Sequence, residues 1–175
     1  IRSRLVGSEM CIRDSLIIGG SSDIALDLIN QLCEAGHTVT TLARDASRVE
    51  PLKAIGVNVV IGDGLVDADL ATANEVAKEH GTGSIAGAAH LIGSILLKPP
   101  HALKVEDFQS VIQTNLVSAF LSLSMISKSM LRSGGGRLVF TSSVAGSLGL
   151  VNHEAIAAAK GGIESMVRSA AATYA

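Results

Sequence analysis

The sequence predicts an α/β domain, a doubly wound parallel sheet with helices on both faces, and three observations predict it. Short β-branched runs alternate with long stretches of helical period, the pattern of repeated strand–helix crossovers. The 175 residues are 47% hydrophobic but only 2% aromatic, and 18 are glycine, so the core is aliphatic and suits helices packed closely on a buried sheet. A glycine-containing turn, Gly19-Gly20-Ser21-Ser22, joins the first apolar run to the first amphipathic period.

The length bounds a single domain, placed at residues 16–175. Residues 1–15 are set apart from the fold as a non-native or disordered segment. Val6-Gly7-Ser8-Glu9-Met10-Cys11-Ile12-Arg13-Asp14-Ser15 resembles the in-frame translation of a sequencing-library adapter. It has no apolar core of the kind a secretory leader carries after its basic residues.

From residue 16 the elements follow in order. Leu16-Ile17-Ile18 is the first strand. Two helical rows come next, Ile24, Leu28, Leu32 and Ala25, Ile29, Cys33, and Gly36 ends them as a left-handed cap. Thr38 to Leu42 and Val57 to Ile61 are strands two and three. A helix from Asp67 to His80 leads to a fourth strand, Ile85 to His90. Beyond Pro99 and Pro100 runs a long helix whose apolar stripe is Phe108, Ile112, Leu116, Phe120, Leu123, Ile126 and Met130, stopped by Gly134-Gly135-Gly136. Arg137 to Thr141 is the fifth strand, and a last helix starts near Asn152.

Composition excludes several function classes. A formal net charge of −2 provides no basic footprint for nucleic acid. No uninterrupted apolar stretch reaches the roughly 18 residues of a membrane span. Without residues 1–15, Cys33 is the sole cysteine; it is placed in the core, and a lone thiol suits a reducing cytoplasm. His37, His80, His90 and His101 lack metal-ligand spacing, so no metal is expected.

Chemistry concentrates at the glycine turn. In such a sheet the first strand–helix turn holds a dinucleotide's phosphates, because backbone N–H groups and the helix dipole face the anion there. Gly19, Ser21, Ser22, Asp23 and Ile24 are therefore cofactor-binding candidates, with Asp23 expected to turn away as the helix N-cap. Arg44 follows the second strand, where a guanidinium accommodates a ribose 2′-phosphate. It favours NADP(H) over NAD(H), while Asp45 beside it keeps NAD(H) open.

From Leu16 to Ala175 the order and spacing of elements, with these residues, resemble the short-chain dehydrogenase/reductase family. The family's T-G-x-x-x-G-x-G turn keeps Gly19 but has Asp23 and Ala25 at its later glycines. Asp63-Gly64 matches the pair whose aspartate bonds the adenine amino group, and Gly93 is what remains of N-N-A-G in His90-Leu91-Ile92-Gly93. The family's helix asparagine matches Asn115, its serine Ser143, and the lysine of Y-x-x-x-K matches Lys160, 17 positions after the serine. The resemblance implies a Rossmann-like fold, hydride transfer between NAD(P)(H) and a carbonyl or alcohol of a small molecule, and a homo-oligomer. Lys160 would also bond the nicotinamide ribose. It further implies that the chain is cut short before a sixth strand and the substrate-covering segment.

The tyrosine of Y-x-x-x-K is missing: Ile156 stands there, and the only tyrosine, Tyr174, is followed by no lysine. Isoleucine offers neither a proton nor an oxyanion contact. At about 100° per residue His153 projects on nearly the same face as Lys160, which makes it the candidate substitute donor. The plain alternative is that Asn152 caps the helix and His153 is an exposed first-turn residue. Two functions remain open: an oxidoreductase with an altered proton donor, and a non-catalytic NADP(H)-binding subunit or sensor that partners an active relative.

Overall fold

The computed structural model describes residues 13–175. Five parallel strands form one sheet in the order β3-β2-β1-β4-β5: β1 (Asp14–Ile18), β2 (Thr38–Ala43), β3 (Asn58–Ile61), β4 (Gly87–His90) and β5 (Arg137–Phe140). The crossovers contain α1 (Asp23–Glu34), α2 (Ala46–Val49), α3 (Asp67–Glu79), α4 (Val105–Ile112) and α5 (Ser118–Arg132), and α6 (Glu154–Thr173) follows β5. Strand order changes direction between β1 and β4, and the crevice beyond their carboxyl ends is where such sheets bind ligands. β1 is covered on both sides, as its unbroken apolar run implies. Leu16 and Ile18 pack with Leu70, Ala73 and Ile126, while Ile17 packs on the other face with Ala25, Ile29 and Val49.

β1 starts at Asp14, not Leu16: Asp14 and Ser15 pair with Thr38 and Val39, and Ser15 also pairs with Gly87. The buried Asp14 carboxylate accepts hydrogen bonds from the Thr82 hydroxyl (2.7 Å) and the Thr82 backbone N–H. A three-residue central strand would leave neighbouring ladder groups unpaired, and these two residues pair them. The rest of the segment set apart, residues 1–12, lies outside the described residues.

Ser22, not Asp23, caps α1: its Oγ accepts from Ala25 N at 3.2 Å. Asp23 is the first helical residue, where its charge suits the dipole, and its exposed carboxylate pairs with Arg48. Of the two apolar rows Ala25 and Ile29 are fully buried, Leu28, Leu32 and Cys33 pack half-buried against the same cluster, and Ile24 is 69% exposed; burial pushes the Cys33 thiol up. Gly36 performs its expected cap, at φ +80° with His37 N bonded to Leu32 O (3.0 Å).

The long helix differs most from its expectation. α4 and α5 join through a π-helical turn, Gln113–Val117, into one helix from Val105 to Arg132. The extra residue of that turn rotates the face presented to the sheet. Ser118, Ala119, Ser122, Leu123, Ile126 and Met130 are buried there, so the expected stripe holds at Leu123, Ile126 and Met130, whereas its Phe108 and Phe120 are exposed. By length and mean hydropathy (1.3) this helix is apolar enough to cross a membrane, although no uninterrupted apolar run is. Ile126 and Met130 instead pack in the core beside the sheet.

Candidate functional site

The glycine turn is built for close approach. Gly19, at φ +90°, has no room for a side chain: a Cβ would lie 2.9 Å from Ile92 N, so the turn abuts the segment leaving β4. Gly19 N and Gly20 N both donate to Leu42 O (2.9 and 3.1 Å), which fastens the turn to β2. A Cβ on Gly20 would overlap Thr41 Oγ1 at 1.8 Å. The first-turn N–H groups of α1 have no intrahelical acceptors, and Ser22 satisfies only that of Ala25. Beside the turn lies a cleft of about 150 Å³ lined by Gly19, Ser21, Ser22, Arg44, Gly64 and Gly93 among others. The donors and the missing side chains fit a dinucleotide's phosphates.

At one end Arg44 lies 3.6 Å from the Asp63 carboxylate with its own side chain 72% exposed. Asp63 is also engaged locally, its Oδ1 accepting from Leu65 N at 2.9 Å. Asp45 is spent as the N-cap of α2, accepting from the Ser47 hydroxyl and N–H (2.6 and 3.0 Å). These bonds hold its carboxyl below the usual range. Arg44 is thus the charged side chain of the pair left facing the cleft.

At the other end the chain brings together three residues that are far apart in sequence. A Cβ on Gly93 would lie 3.3 Å from Asn115 Oδ1 and 3.7 Å from Lys160 Nζ. Asn115 sits in the π-turn, fully buried, with Nδ2 donating to Ser94 O (3.1 Å) and Val111 O (2.9 Å) and Oδ1 accepting from Ser94 N (3.2 Å). Lys160, 6% exposed, donates from Nζ to Thr141 O (2.9 Å), and burial pulls its ammonium below the usual lysine range. Ser143 begins the turn Val144–Gly146, its Oγ accepting from Ala145 N at 3.2 Å. That turn presses on α6, where Gly161 is small enough to admit Gly146 O. Gly162 likewise leaves room for Leu116, so these two glycines already serve contacts within the chain.

Position 156 is buried in an apolar cluster. Ile156, 4% exposed, packs in a cluster with Val111, Ala145, Ala155 and Ala159. His153 is the N-cap residue of α6, and it rather than Asn152 occupies the cap; Asn152 takes a left-handed φ of 61°. The His153 side chain caps nothing; its Nδ1 lies 2.7 Å from Val151 O. No described hydrogen bond joins it to Ser143 or Lys160.

The short chain dehydrogenase model matches residues 14–175, starting at the first residue of β1. The chain belongs to that family. It is 31% identical over 159 residues to the 3-oxoacyl-[acyl-carrier-protein] reductase MabA of Mycobacterium tuberculosis, covering 91% of this chain and 62% of that protein. It is 27% identical over 172 residues to a tropinone reductase homolog of Arabidopsis thaliana, covering 93% and 64%. The solved structure of levodione reductase superposes with a TM-score of 0.86 at 26% identity, over 93% of this chain and 67% of that one. The chain therefore spans less than two thirds of the length of these curated relatives.

The motif residues Gly93, Asn115 and Lys160 lie together in the fold, but the motifs do not mark what holds them. Ser94 bonds Asn115 and Thr141 bonds Lys160, while the Thr141 hydroxyl in turn donates to His90 O. Only His90 left a trace in the sequence, an imidazole ending an otherwise apolar strand.

Proposed function

We propose that the full-length protein is an NADP(H)-dependent oxidoreductase that interconverts a carbonyl and an alcohol on a small molecule, with His153 as the proton-transfer residue. The observation that carries this reading is Gly93, which lines the cleft beside the glycine turn and also fronts Asn115 and Lys160. One continuous path thus runs from a phosphate cradle to a buried cation and amide. A nicotinamide dinucleotide held along it would supply or take up the hydride. The first turn of α1 binds the diphosphate, Ile24 offers an exposed apolar contact, and Asp63 with Gly64 borders the adenine end. Arg44, freed from competition by the capping role of Asp45, pairs with the 2′-phosphate.

The chain's own chemistry is at the substrate oxygen. Ser143 orients that oxygen, and Lys160 holds positive charge near it and bonds the nicotinamide ribose. In the neutral imidazole a proton on Nδ1, donated to Val151 O, leaves Nε2 as the base that takes the alcohol proton. In the reverse direction the imidazolium gives that proton back from Nε2. The proposed assembly is a cytoplasmic homo-oligomer.

A second reading is favoured by the apolar packing of Ile156: a non-catalytic NADP(H)-binding subunit or sensor. Turnover of the full-length protein on a panel of ketones and alcohols separates the two. Under the enzyme reading His153→Ala lowers turnover about 10²–10⁴-fold while NADPH binding survives. Unchanged turnover in that variant would remove His153. A wild type that binds NADPH but turns over nothing, and gains activity in Ile156→Tyr, would establish the binding subunit.

A further inference from the structure

We propose that His90 is a positioning residue for the reaction end of the cleft: through Ser118 it locks the π-helical turn that carries Asn115. The inference rests on the reading above, in which Asn115 and Lys160 serve the reacting groups.

His90 ends β4 and is 2% exposed. Its Nε2 lies 2.9 Å from Ser118 Oγ, and the Ser118 hydroxyl is 2.6 Å from Thr114 O. A hydroxyl has one proton, and here it goes to Thr114 O, which cannot donate; Ser118 Oγ must therefore accept from His90 Nε2–H. Nδ1 is then a lone pair, buried and without a protein partner. A histidine serving only to fill the core gains nothing from that arrangement. One ring nitrogen is left unpaired while the other reaches the one irregular turn of the helix.

Thr114 lies inside the π-turn and Ser118 immediately follows it. A π-turn widens the helix and displaces its carbonyls, so it needs partners outside the normal ladder. The segment leaving β4 provides them at two points: His90 through Ser118 and Thr114, and Ser94 through both ends of the Asn115 amide. The same histidine reaches the lysine. Its carbonyl accepts from the Thr141 hydroxyl at 3.4 Å, and Thr141's own carbonyl accepts from Lys160 Nζ. His90 is thus hydrogen-bonded toward Asn115 on one side and Lys160 on the other. Burial, and after it the Lys160 cation, keep the imidazole neutral with a pKa of about 4, so the donor stays constant across ordinary pH.

The test uses the full-length protein with His90→Phe, which removes the N–H, His90→Gln, which retains a side-chain N–H donor, and Ser118→Ala, which removes the acceptor. Amide hydrogen exchange at Ser94 reports the clamp on Asn115 directly, and kcat, KM and NADPH affinity report the site. His90→Phe and Ser118→Ala should each speed Ser94 exchange at least tenfold and lower kcat with NADPH affinity nearly unchanged. His90→Gln should restore most of both, and the double variant His90→Phe/Ser118→Ala should be no worse than either single one. A His90→Gln protein as impaired as His90→Phe, or a folded His90→Phe with wild-type Ser94 exchange, would overturn the proposal. Should His90→Phe not fold, carbon-13 shifts of the wild-type ring decide: an Nδ1–H tautomer refutes the arrangement and an Nε2–H tautomer upholds it. The exchange and tautomer measurements need no turnover, so a failed oxidoreductase reading and a failed clamp are distinguishable.

Discussion

Acidification should destabilise this protein through one identifiable side chain. His90 is neutral and buried in the folded state with a pKa of about 4, against 6.5 for an ordinary histidine. As pH falls the unfolded chain takes up the proton first, so the stability tied to the neutral ring is fully present above pH 6.5 and is lost toward pH 4. The loss is about 1 kcal/mol at pH 5.5 and about 3 kcal/mol at pH 4 and below. With urea slopes of about 1–3 kcal/mol per molar, the last figure is a midpoint shift of roughly 1 M or more. Carboxylates also titrate in this window, so the measurement is a difference: urea midpoints of the wild type and His90→Gln, each at pH 7, 5.5 and 4. The wild type should lose more than the variant by the amounts above. Midpoints that fall in parallel would mean that His90 titrates normally, and the buried neutral imidazole would have to be abandoned.

Gly20→Ala should destabilise the fold by about 1–3 kcal/mol in urea and weaken dinucleotide binding, because the new Cβ overlaps Thr41 Oγ1, which donates to Ile17 O at 3.1 Å. Arg44→Ala should weaken NADPH binding by roughly 10- to 100-fold, the worth of a hydrogen bond to a charged group, and leave NADH little changed; equal losses would remove the 2′-phosphate assignment. A protein beginning at Leu16 should melt several degrees below one beginning at Arg13, since Asp14 and Ser15 complete β1 and Asp14 holds Thr82. Identical melting curves would restore the boundary to residue 16.

Element order and fold class were legible without coordinates because their signals are local. A helical period, a β-branched run or a glycine stop such as Gly36 is set by neighbours within a few residues. The same holds for the glycine turn after β1, which needs only a strand before it and a helix after it.

Other features depended on contacts with segments distant in sequence. Ser22 displaced Asp23 as the cap because Arg48, 25 positions on, drew the aspartate outward. The expected stripe of the long helix holds at Leu123, Ile126 and Met130 but fails at Phe120, which closely follows the π-turn at Gln113–Val117, and at Phe108 before it. No apolar period records that turn; it is held by Ser94, 21 residues away, and by Ser118 on His90, 28 residues away. Lys160 is held by Thr141, 19 residues away. Local periodicity therefore determined that there is a crevice and which end of the sheet carries it. The tertiary structure decided how its buried polar groups are paired, since burial demands partners and only the folded chain brings them within reach.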